Sequence, residues 1–315
     1  MEIYNNILIF DTLESTNAHA FKIIEQQQTI EDFTVIATLN QTAGKGQRGN
    51  TWLSEPQKNC LFSIILNPVH IPANNQFILS QTISVAILQT IQNYCNRVHI
   101  KWPNDIYVGS KKIAGILIEN IIMGSHISKS VIGVGLNCNQ TEFETTLPNP
   151  TSLAIETNTT YDYLHVITEI VSRTKELYNK LSNNRLHIEQ CYDNALYQKN
   201  IVAPYIDANG LFEATIIGVE PSGKLIVKDT NSQIRSYNFK EIEFVKKITE
   251  LPLEESINDI YTMIPELLTE DKEIINSFIE KEEITSLQEL VSLVSDTIGP
   301  EENDYTGIEA IRVMT

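Results

Sequence analysis

Short apolar runs alternate with helical periodicity along the first two hundred residues. Runs at 7–10, 35–38, 60–66, 98–102, 113–119 and 131–136 predict β-strands. Apolar positions recur at intervals of three and four from Leu79 to Tyr94 and from Leu164 to Leu181, which predicts two helices. Another helix should begin near Ser15 or Thr16, whose hydroxyls can cap free backbone amides. The pattern indicates an α+β fold, a mixed sheet flanked by helices.

The pattern changes after Lys199, where short strands are separated by Asn209-Gly210 and Ser222-Gly223 turns. Strands are predicted at 201–205, 212–219, 225–228 and 234–239, which together suggest a small β-barrel. From about Thr249 the chain becomes helical and acidic. We therefore predict three parts: a catalytic domain at 1–198, a barrel at 199–247 and an acidic, mainly helical extension at 248–315.

The charge distribution limits the classes of partner that the chain can bind. Residues 247–315 carry 17 acidic and four basic side chains, a net charge of −13, whereas residues 1–246 carry −4. Neither part has the basic balance that phosphate neutralisation requires, so we expect no DNA binding. No apolar run reaches the roughly 18 residues of a membrane span, and the start lacks the pattern of a secretory signal. We expect a cytoplasmic protein.

The four cysteines, Cys60, Cys95, Cys138 and Cys191, are widely separated and form no CxxC pair. This spacing argues against a zinc site or a disulfide framework and favours reduced, buried thiols.

The glycine-rich stretch from Gly44 to Gly49, GKGQRG, fits the dinucleotide-binding expression GxGxxG. Its context is wrong for that use, because a turn-rich segment follows instead of a helix. The loop still suits an anion, since glycines admit close backbone approach and Lys45 and Arg48 can neutralise phosphate. The alternative is a solvated surface loop.

A second cluster is KWPNDIYVGSKKIAGILIE, from Lys101 to Glu119. Pro103 should end the preceding strand and leave Asn104 and Asp105 at a turn, where side chains are available for chemistry. Lys112 and Gly115 follow on the next strand. Taken singly, each residue has an ordinary structural interpretation, and only the combination indicates a site.

These motifs together resemble the catalytic domain of biotin protein ligases over roughly residues 8–245. The resemblance consists of ESTN (14–17), QTAGKGQRGNTW (41–52), KWPND (101–105), KKIAGILIE (111–119) and IGVGLN (132–137), in matching order and spacing. It implies a class II aminoacyl-tRNA synthetase-like catalytic domain followed by an SH3-like barrel. It also implies an ATP-dependent enzyme that converts biotin to biotinyl-5'-AMP and transfers biotin to a lysine of a biotin carboxyl carrier protein or carboxylase subunit.

The resemblance also implies residue roles. Biotin contacts are assigned to Ser15, Thr16, Asn17, Gln41, Gly44, Lys45, Gly46, Gln47, Lys112, Gly115 and Gly133. ATP contacts are assigned to Lys45, Arg48, Trp52, Asn104, Asp105, Lys112 and Asn137. Lys112, Lys45 and Arg48 are the catalytic candidates, because they can hold two anions together against their repulsion. Mg²⁺ is expected with ATP, supported by Asn104 and Asp105, although the sequence defines no full set of metal ligands.

The chain departs from the family in three respects. Relative to the usual loop GRGRxGRxW, Lys45 replaces one arginine, while Gln47 and Asn50 remove two charges. Weaker retention of the adenylate is therefore a hypothesis. The ligase motifs begin near the N-terminus, so we expect a monofunctional enzyme without a DNA-binding domain. The acidic extension matches nothing in the family and contains no AMKM-like acceptor motif.

Two other functions stay open. A lipoate or octanoate ligase or transferase of the same superfamily is the enzymatic alternative, and a non-catalytic biotin sensor is the binding alternative. The sequence does not decide whether the chain forms a homodimer.

Overall fold

The computed structural model describes residues 2–4, 7–27 and 29–245, with the backbone alone for residues 2–4 and for Arg48. The predicted acidic extension at 248–315 lies outside the described residues. The described residues divide into two compact units, one within residues 2–199 together with 218–225, the other of residues 200–217 together with 226–245. Within the described ranges, no helix is long and apolar enough to cross a membrane.

An eight-stranded mixed sheet forms the centre of the first unit. Its strands are β1 (Glu2–Tyr4), β2 (Ile7–Leu13), β3 (Thr34–Gln41), β4 (Cys60–Leu66), β5 (Val98–Lys101), β6 (Asp105–Val108), β7 (Lys111–Met123) and β8 (His126–Leu136). They lie in the order β1-β2-β3-β4-β8-β7-β6-β5. β2 and β3 are parallel and the other neighbours are antiparallel. The predicted mixed sheet is confirmed.

Helices cover both faces of this sheet. They are α1 (Thr16–Gln26), α2 (Phe77–Ile91), α3 (Leu153–Thr157), α4 (Tyr163–Asn179) and α5 (Leu181–Asn194). All seven residues of β4 are buried. Because strand side chains alternate between faces, Ile65 packs with Ala20 of α1, while Cys60 contacts the backbone carbonyl of Tyr163 in α4. Thus α1 and α4 lie on opposite faces of β4.

Helix α1 begins where the sequence predicts. Ser15 is its N-cap, and the Ser15 hydroxyl accepts a hydrogen bond from the backbone amide of Ala18 at 3.5 Å. This satisfies one of the backbone donors that the first helical turn leaves without a partner. The cap holds the following residues, Thr16 and Asn17, at the end of the helix that faces the sheet.

The structure differs from the sequence prediction at several elements. Asp105 begins β6 instead of continuing the turn, and β8 starts five residues before Val131. The predicted helix ending at Leu181 ends at Asn179, and α5 follows at once. Polar residues interrupt the apolar spacing in α5, which explains why periodicity did not reveal it.

A five-stranded sheet occupies the described residues after 201. Its strands are β9 (Val202–Asp207), β10 (Gly210–Val219), β11 (Leu225–Asp229), β12 (Ile234–Tyr237) and β13 (Glu243–Phe244), in the order β12-β11-β10-β9-β13. All four predicted strands agree with the structure within two residues at each end, and the last, predicted at 234–239, ends two residues earlier. The strand β13 was not predicted from the sequence.

Candidate functional site

Two glycines in the middle of the large sheet form a patch of backbone without side chains, the glycine patch. Gly115 of β7 and Gly135 of β8 are directly opposite each other, and the indole of Trp52 lies on both. A Cβ atom added to Gly135 would stand 2.4 Å from Cε2 of Trp52, and one added to Gly115 would stand 2.9 Å from its Cζ3. Real Cβ atoms essentially never approach other atoms so closely. These positions therefore require glycine while the indole is in place.

The glycine-rich loop closes on itself in front of this patch. The backbone amide of Trp52 donates to the Gly44 carbonyl at 3.0 Å, and that of Gly46 donates to the Asn50 carbonyl at 2.7 Å. Between them, Gln47–Gly49 form a single 3-10 turn. Lys45 is exposed in this loop. The side chain of Arg48 is not among the described atoms, so its predicted phosphate contact stays a prediction.

Lys112 lies at the edge of the same patch. Its Nζ is 2.8 Å from Oδ1 of Asp105 and 5.7 Å from the centre of the Trp52 ring. The pairing between β6 and β7 shifts register between Ile106 and Tyr107, and such a bulge re-aims side chains beside it. The side chain of Lys112 is 33% exposed, so the ammonium can reach a ligand.

Asn104 and Asn137 have structural partners. The side-chain amide of Asn104 donates to the Ile116 carbonyl at 2.6 Å, and that of Asn137 donates to the Thr151 carbonyl at 2.9 Å. Both groups therefore fix backbone segments next to the site. Their predicted contacts with ATP stay predictions.

The predicted biotin-ring residues form a second, polar cluster. The backbone amide of Thr16 donates to Oε1 of Gln41 at 2.9 Å. The hydroxyl of Ser63 lies 2.7 Å from Oγ1 of Thr16 and 2.6 Å from Oδ1 of Asn17. The amide of Asn17 donates to Oε2 of Glu119 at 2.7 Å. The structure thus brings three predicted residues together with two, Ser63 and Glu119, to which the sequence analysis assigned no role.

Ser63 had a detectable signal, since it is the one polar side chain in the buried run CLFSIIL at 60–66. Glu119 ends the quoted motif KKIAGILIE, but an acidic residue at a strand position has no distinctive pattern. Only the tertiary contact with Asn17 identifies it.

A third glycine, Gly133, connects the polar cluster with the patch formed by Gly115 and Gly135. A Cβ atom added to Gly133 would stand 2.3 Å from Oδ1 of Asn17. Gly133 and Gly135 are two residues apart on β8, so they face the same side of the sheet and are separated by roughly 7 Å. The polar cluster, the bare patch and the Lys112 ammonium therefore follow one another along a single face. This order suits a small molecule with a polar group at one end and a charged group at the other.

Three cysteines are held as neutral thiols. Burial raises the pKa of the Cys60 thiol well above its ordinary value, and a hydrogen bond with Cys138 adds to the shift. Burial raises the pKa of Cys95 to about 11, and it also raises the pKa of Cys191. Because the thiolate is the reactive form, these residues are poor nucleophiles. All four cysteines are free thiols, as predicted, but only Cys60 and Cys138 are buried, whereas Cys95 and Cys191 are partly exposed.

The described residues contain no group of three or more His, Cys, Asp or Glu side chains that could hold a metal ion. Asp105 is the carboxylate next to Lys112. Magnesium is commonly held by one or two carboxylates together with substrate phosphates and water. A single carboxylate at this place fits that pattern, with the phosphates of a nucleotide as the other ligands.

Known proteins resemble this chain over the same region. Residues 9–137 match the model of the Biotin/lipoate A/B protein ligase family. The chain is 27% identical over 248 residues to "Bifunctional ligase/repressor BirA" of Bacillus subtilis (strain 168), covering 77% of this chain and 75% of that protein. It is 31% identical over 127 residues to "Biotin--[acetyl-CoA-carboxylase] ligase" of Paracoccus denitrificans, covering 39% of this chain and 51% of the relative.

A solved structure, "Biotin protein ligase from Aquifex aeolicus in complex with biotin and ATP", has the same fold. It superposes with a TM-score of 0.64 at 20% identity, and the match covers 77% of this chain and 99% of the other.

Proposed function

Because residues 9–137 match the model of the Biotin/lipoate A/B protein ligase family, we propose that this protein activates biotin with ATP and transfers it to a protein lysine. The Paracoccus denitrificans relative, which carries the name of a biotin ligase, supports the substrate. The observation that carries the proposal is the arrangement on one face of the sheet. A polar cluster, a bare glycine patch and the ammonium of Lys112 follow in the order of a urea ring, an aliphatic chain and a carboxylate.

The reaction has two balanced steps. A carboxylate oxygen of biotin attacks the α-phosphorus of ATP, the bond to the β-phosphate oxygen breaks, and pyrophosphate leaves. The neutral amine of an acceptor lysine then attacks the acyl carbon, AMP leaves, and an amide forms with release of a proton. No covalent enzyme intermediate is needed, so catalysis consists of positioning and electrostatic stabilisation.

Lys112 is proposed as the main catalytic residue. Its ammonium stands at the end of the glycine patch, where the carboxylate and the α-phosphate would meet. A cation placed there lowers the repulsion between the two anions and stabilises the charge that develops on phosphate oxygens. Asp105 holds the ammonium in place at 2.8 Å before the substrates arrive.

The glycine-rich loop is proposed to cover the adenylate. Lys45 and Arg48 would lie against phosphate, Trp52 would offer an aromatic surface to adenine, and Gly44 and Gly46 would let the backbone approach biotin. A closed loop would keep water from the mixed anhydride until the acceptor arrives. Mg²⁺, when bound with ATP, supplies further charge neutralisation at the phosphates, and Asp105 would hold it.

The finer assignments are proposals of the same kind. The acceptor is a biotin carboxyl carrier protein or carboxylase subunit, as the name of the Paracoccus denitrificans relative suggests. The five-stranded sheet is an SH3-like barrel that follows a class II aminoacyl-tRNA synthetase-like domain along the chain, with boundaries near 198 and 247. The enzyme acts in the cytoplasm, and its acidic extension serves a structural or partner-binding purpose.

The test is labelling of a purified carrier domain with biotin and ATP, with lipoate and octanoate assayed in parallel. Biotin-dependent labelling with little use of the fatty acids is expected. Labelling with lipoate or octanoate alone would contradict the biotin assignment. Tight biotin binding without any labelling would identify a sensor. Deletion of residues 250–315 should leave the ligation kinetics unchanged if the extension makes no catalytic contribution.

A further inference from the structure

We propose that Glu119 is a positioning residue that sets which polar atoms of the site donate and which accept hydrogen bonds. The inference rests on the proposed function in one respect, namely that the cluster around Thr16 and Gln41 receives a cyclic urea. Glu119 would not touch the substrate. It would act through Asn17 and Ser63, and its loss would change substrate preference more than catalytic rate.

The first link is the contact between Glu119 and Asn17. An ionised carboxylate can only accept hydrogen bonds. At 2.7 Å from Oε2 of Glu119, the nitrogen of the Asn17 amide must therefore face it. The same nitrogen also lies 3.3 Å from the Leu117 carbonyl. Asn17 is 3% exposed, so its amide has no water with which to exchange this arrangement.

The second link follows from the orientation of that amide. With its nitrogen towards Glu119, Asn17 presents its oxygen to Ser63 at 2.6 Å. Ser63 is completely buried, and its hydroxyl has one hydrogen. That hydrogen must go to the Asn17 oxygen, which can only accept. In its other contact, at 2.7 Å, Ser63 must therefore accept the hydrogen of the Thr16 hydroxyl.

The third link is the surface offered to a ligand. Once the Thr16 hydroxyl donates to Ser63, its oxygen has only lone pairs left for a substrate. The Thr16 hydroxyl is also 3.4 Å from Oε1 of Gln41, a longer and weaker contact. Since that Oε1 accepts the backbone amide of Thr16 at 2.9 Å, the side-chain nitrogen of Gln41, which lies beside Gly44 of the glycine-rich loop, is left as a donor. The site thus offers one acceptor and one donor.

A cyclic urea has the complementary pattern. Its ring N–H groups donate and its carbonyl oxygen accepts, so N–H can meet Thr16 while the carbonyl meets the Gln41 amide. Asn17 also lies against the bare backbone of Gly133, which fixes its position. Without Glu119 the Asn17 amide can turn over, Ser63 can donate to Thr16, and the Thr16 hydroxyl becomes a donor towards the ligand. A donor facing a donor is unfavourable.

The experiment compares biotin with its cyclic carbamate analogues, in which oxygen replaces one or the other ring N–H. Calorimetric titration gives the dissociation constants of biotin and of the two carbamates for each variant. The wild-type protein should prefer biotin over at least one carbamate. In Glu119→Leu the preference for biotin should fall about tenfold. A site whose buried donors and acceptors no longer match those of the ligand loses most of its ability to distinguish biotin from a carbamate. Glu119→Gln should restore it, since a glutamine can accept through its Oε1.

Glu169→Leu is the matched control. Glu169 is a partly exposed carboxylate that accepts a hydrogen bond from the Tyr94 hydroxyl, and its helix, α4, covers the opposite face of β4. This variant should leave the preference unchanged. If Glu119→Leu does not fold, Ser63→Ala removes the middle hydroxyl and should give the same loss of preference.

Kinetics separate this role from a structural one. In Glu119→Leu, KM for biotin should rise while kcat at saturating biotin and KM for ATP stay within about twofold of wild type. An unchanged ratio of biotin to carbamate affinity, in a folded Glu119→Leu or Ser63→Ala protein, would overturn the proposal. Absence of carrier labelling by the wild-type protein would refute the ligase function instead, and the binding ratios would still decide the role of Glu119.

Discussion

The ammonium of Lys112 is held 2.8 Å from the carboxylate of Asp105 at the edge of the glycine patch. Both side chains are partly exposed, so this ion pair contributes little to stability. Its effect is on position, because it keeps a long, flexible side chain directed at one place. Each partner comes from a different strand, β7 and β6, and the register shift between those strands brings them together.

Replacement of Lys112 tests the role of this cation. Lys112→Ala should lower kcat/KM for adenylate formation by about 100-fold or more, the usual loss when a group that stabilises transition-state charge is removed. Release of pyrophosphate from ATP in the presence of biotin measures the step. Lys111→Ala is the control, because Lys111 is adjacent and exposed. Similar rates in the two variants would remove Lys112 from the mechanism.

Close packing between Trp52 and Gly135 can be tested by a double-mutant cycle. Gly135→Ala should lower the free energy of unfolding by about 1–3 kcal/mol, the usual cost of overpacking, because its methyl group meets the indole. In a Trp52→Ala background the same change should cost much less, so the two sites should couple. Urea unfolding of the four proteins gives the cycle. Additive effects would show that the indole does not occupy the patch.

Loss of charge in the glycine-rich loop should affect retention of the intermediate. Gln47→Arg restores a guanidinium, which can hold phosphate in a bidentate manner that an amide cannot match. Free biotinyl-AMP should therefore be released more slowly than from the wild-type protein, as measured by chromatography during turnover without acceptor. Gln26→Arg adds the same charge at the exposed end of α1 and should have no effect. Equal release from wild-type and Gln47→Arg proteins would contradict the hypothesis.

The second unit should lose stability in acid. Burial alone would raise the pKa of Asp207, but hydrogen bonds from the Tyr237 hydroxyl and the Asn209 amide and the charge of Arg235 lower it overall. In Asp229 burial again opposes the shift, while a hydrogen bond from the Gln233 amide and the Arg235 guanidinium lowers the pKa. Both carboxyls therefore favour the folded state fully above their unfolded pKa, near 4, and this contribution is lost as pH falls through the folded pKa.

Circular dichroism during urea unfolding at neutral pH and below pH about 4 measures this dependence. Tyr237→Phe removes the hydroxyl that donates to Asp207 at 2.7 Å, so its unfolding free energy should change less with pH than that of the wild type. The same pH dependence in both proteins would assign acid sensitivity to other groups.

Much of the fold was predictable from local patterns. The burial of both faces of β4 leaves an uninterrupted apolar run, and the Ser15 cap marks the start of α1. The strand β6 escaped prediction because it is only four residues long and follows the Trp102-Pro103 turn directly. Nothing in its length or periodicity distinguishes it from an extended loop.

For the site, the residue types were predictable from the sequence, but their arrangement in space was not. Repeated glycines and a lysine indicated a place for an anion, but not that Gly115 and Gly135 face each other across two strands, because strand pairing is a property of the tertiary structure. The link from Glu119 to Asn17 joins positions 102 residues apart. No local rule relates them, so the control of hydrogen-bond polarity emerges from the structure alone.

The indole on the glycine patch also gives the molecule an optical reporter. The chain has two tryptophans, and Trp102 is buried with its Nε1 donating to the Gly223 carbonyl at 2.9 Å. Nε1 of Trp52 is buried without a partner among the described residues. Any molecule that settles on the bare backbone must push this ring aside, and its emission should then change. Stopped-flow fluorescence of Trp102→Phe would follow binding through Trp52 alone, without an added label.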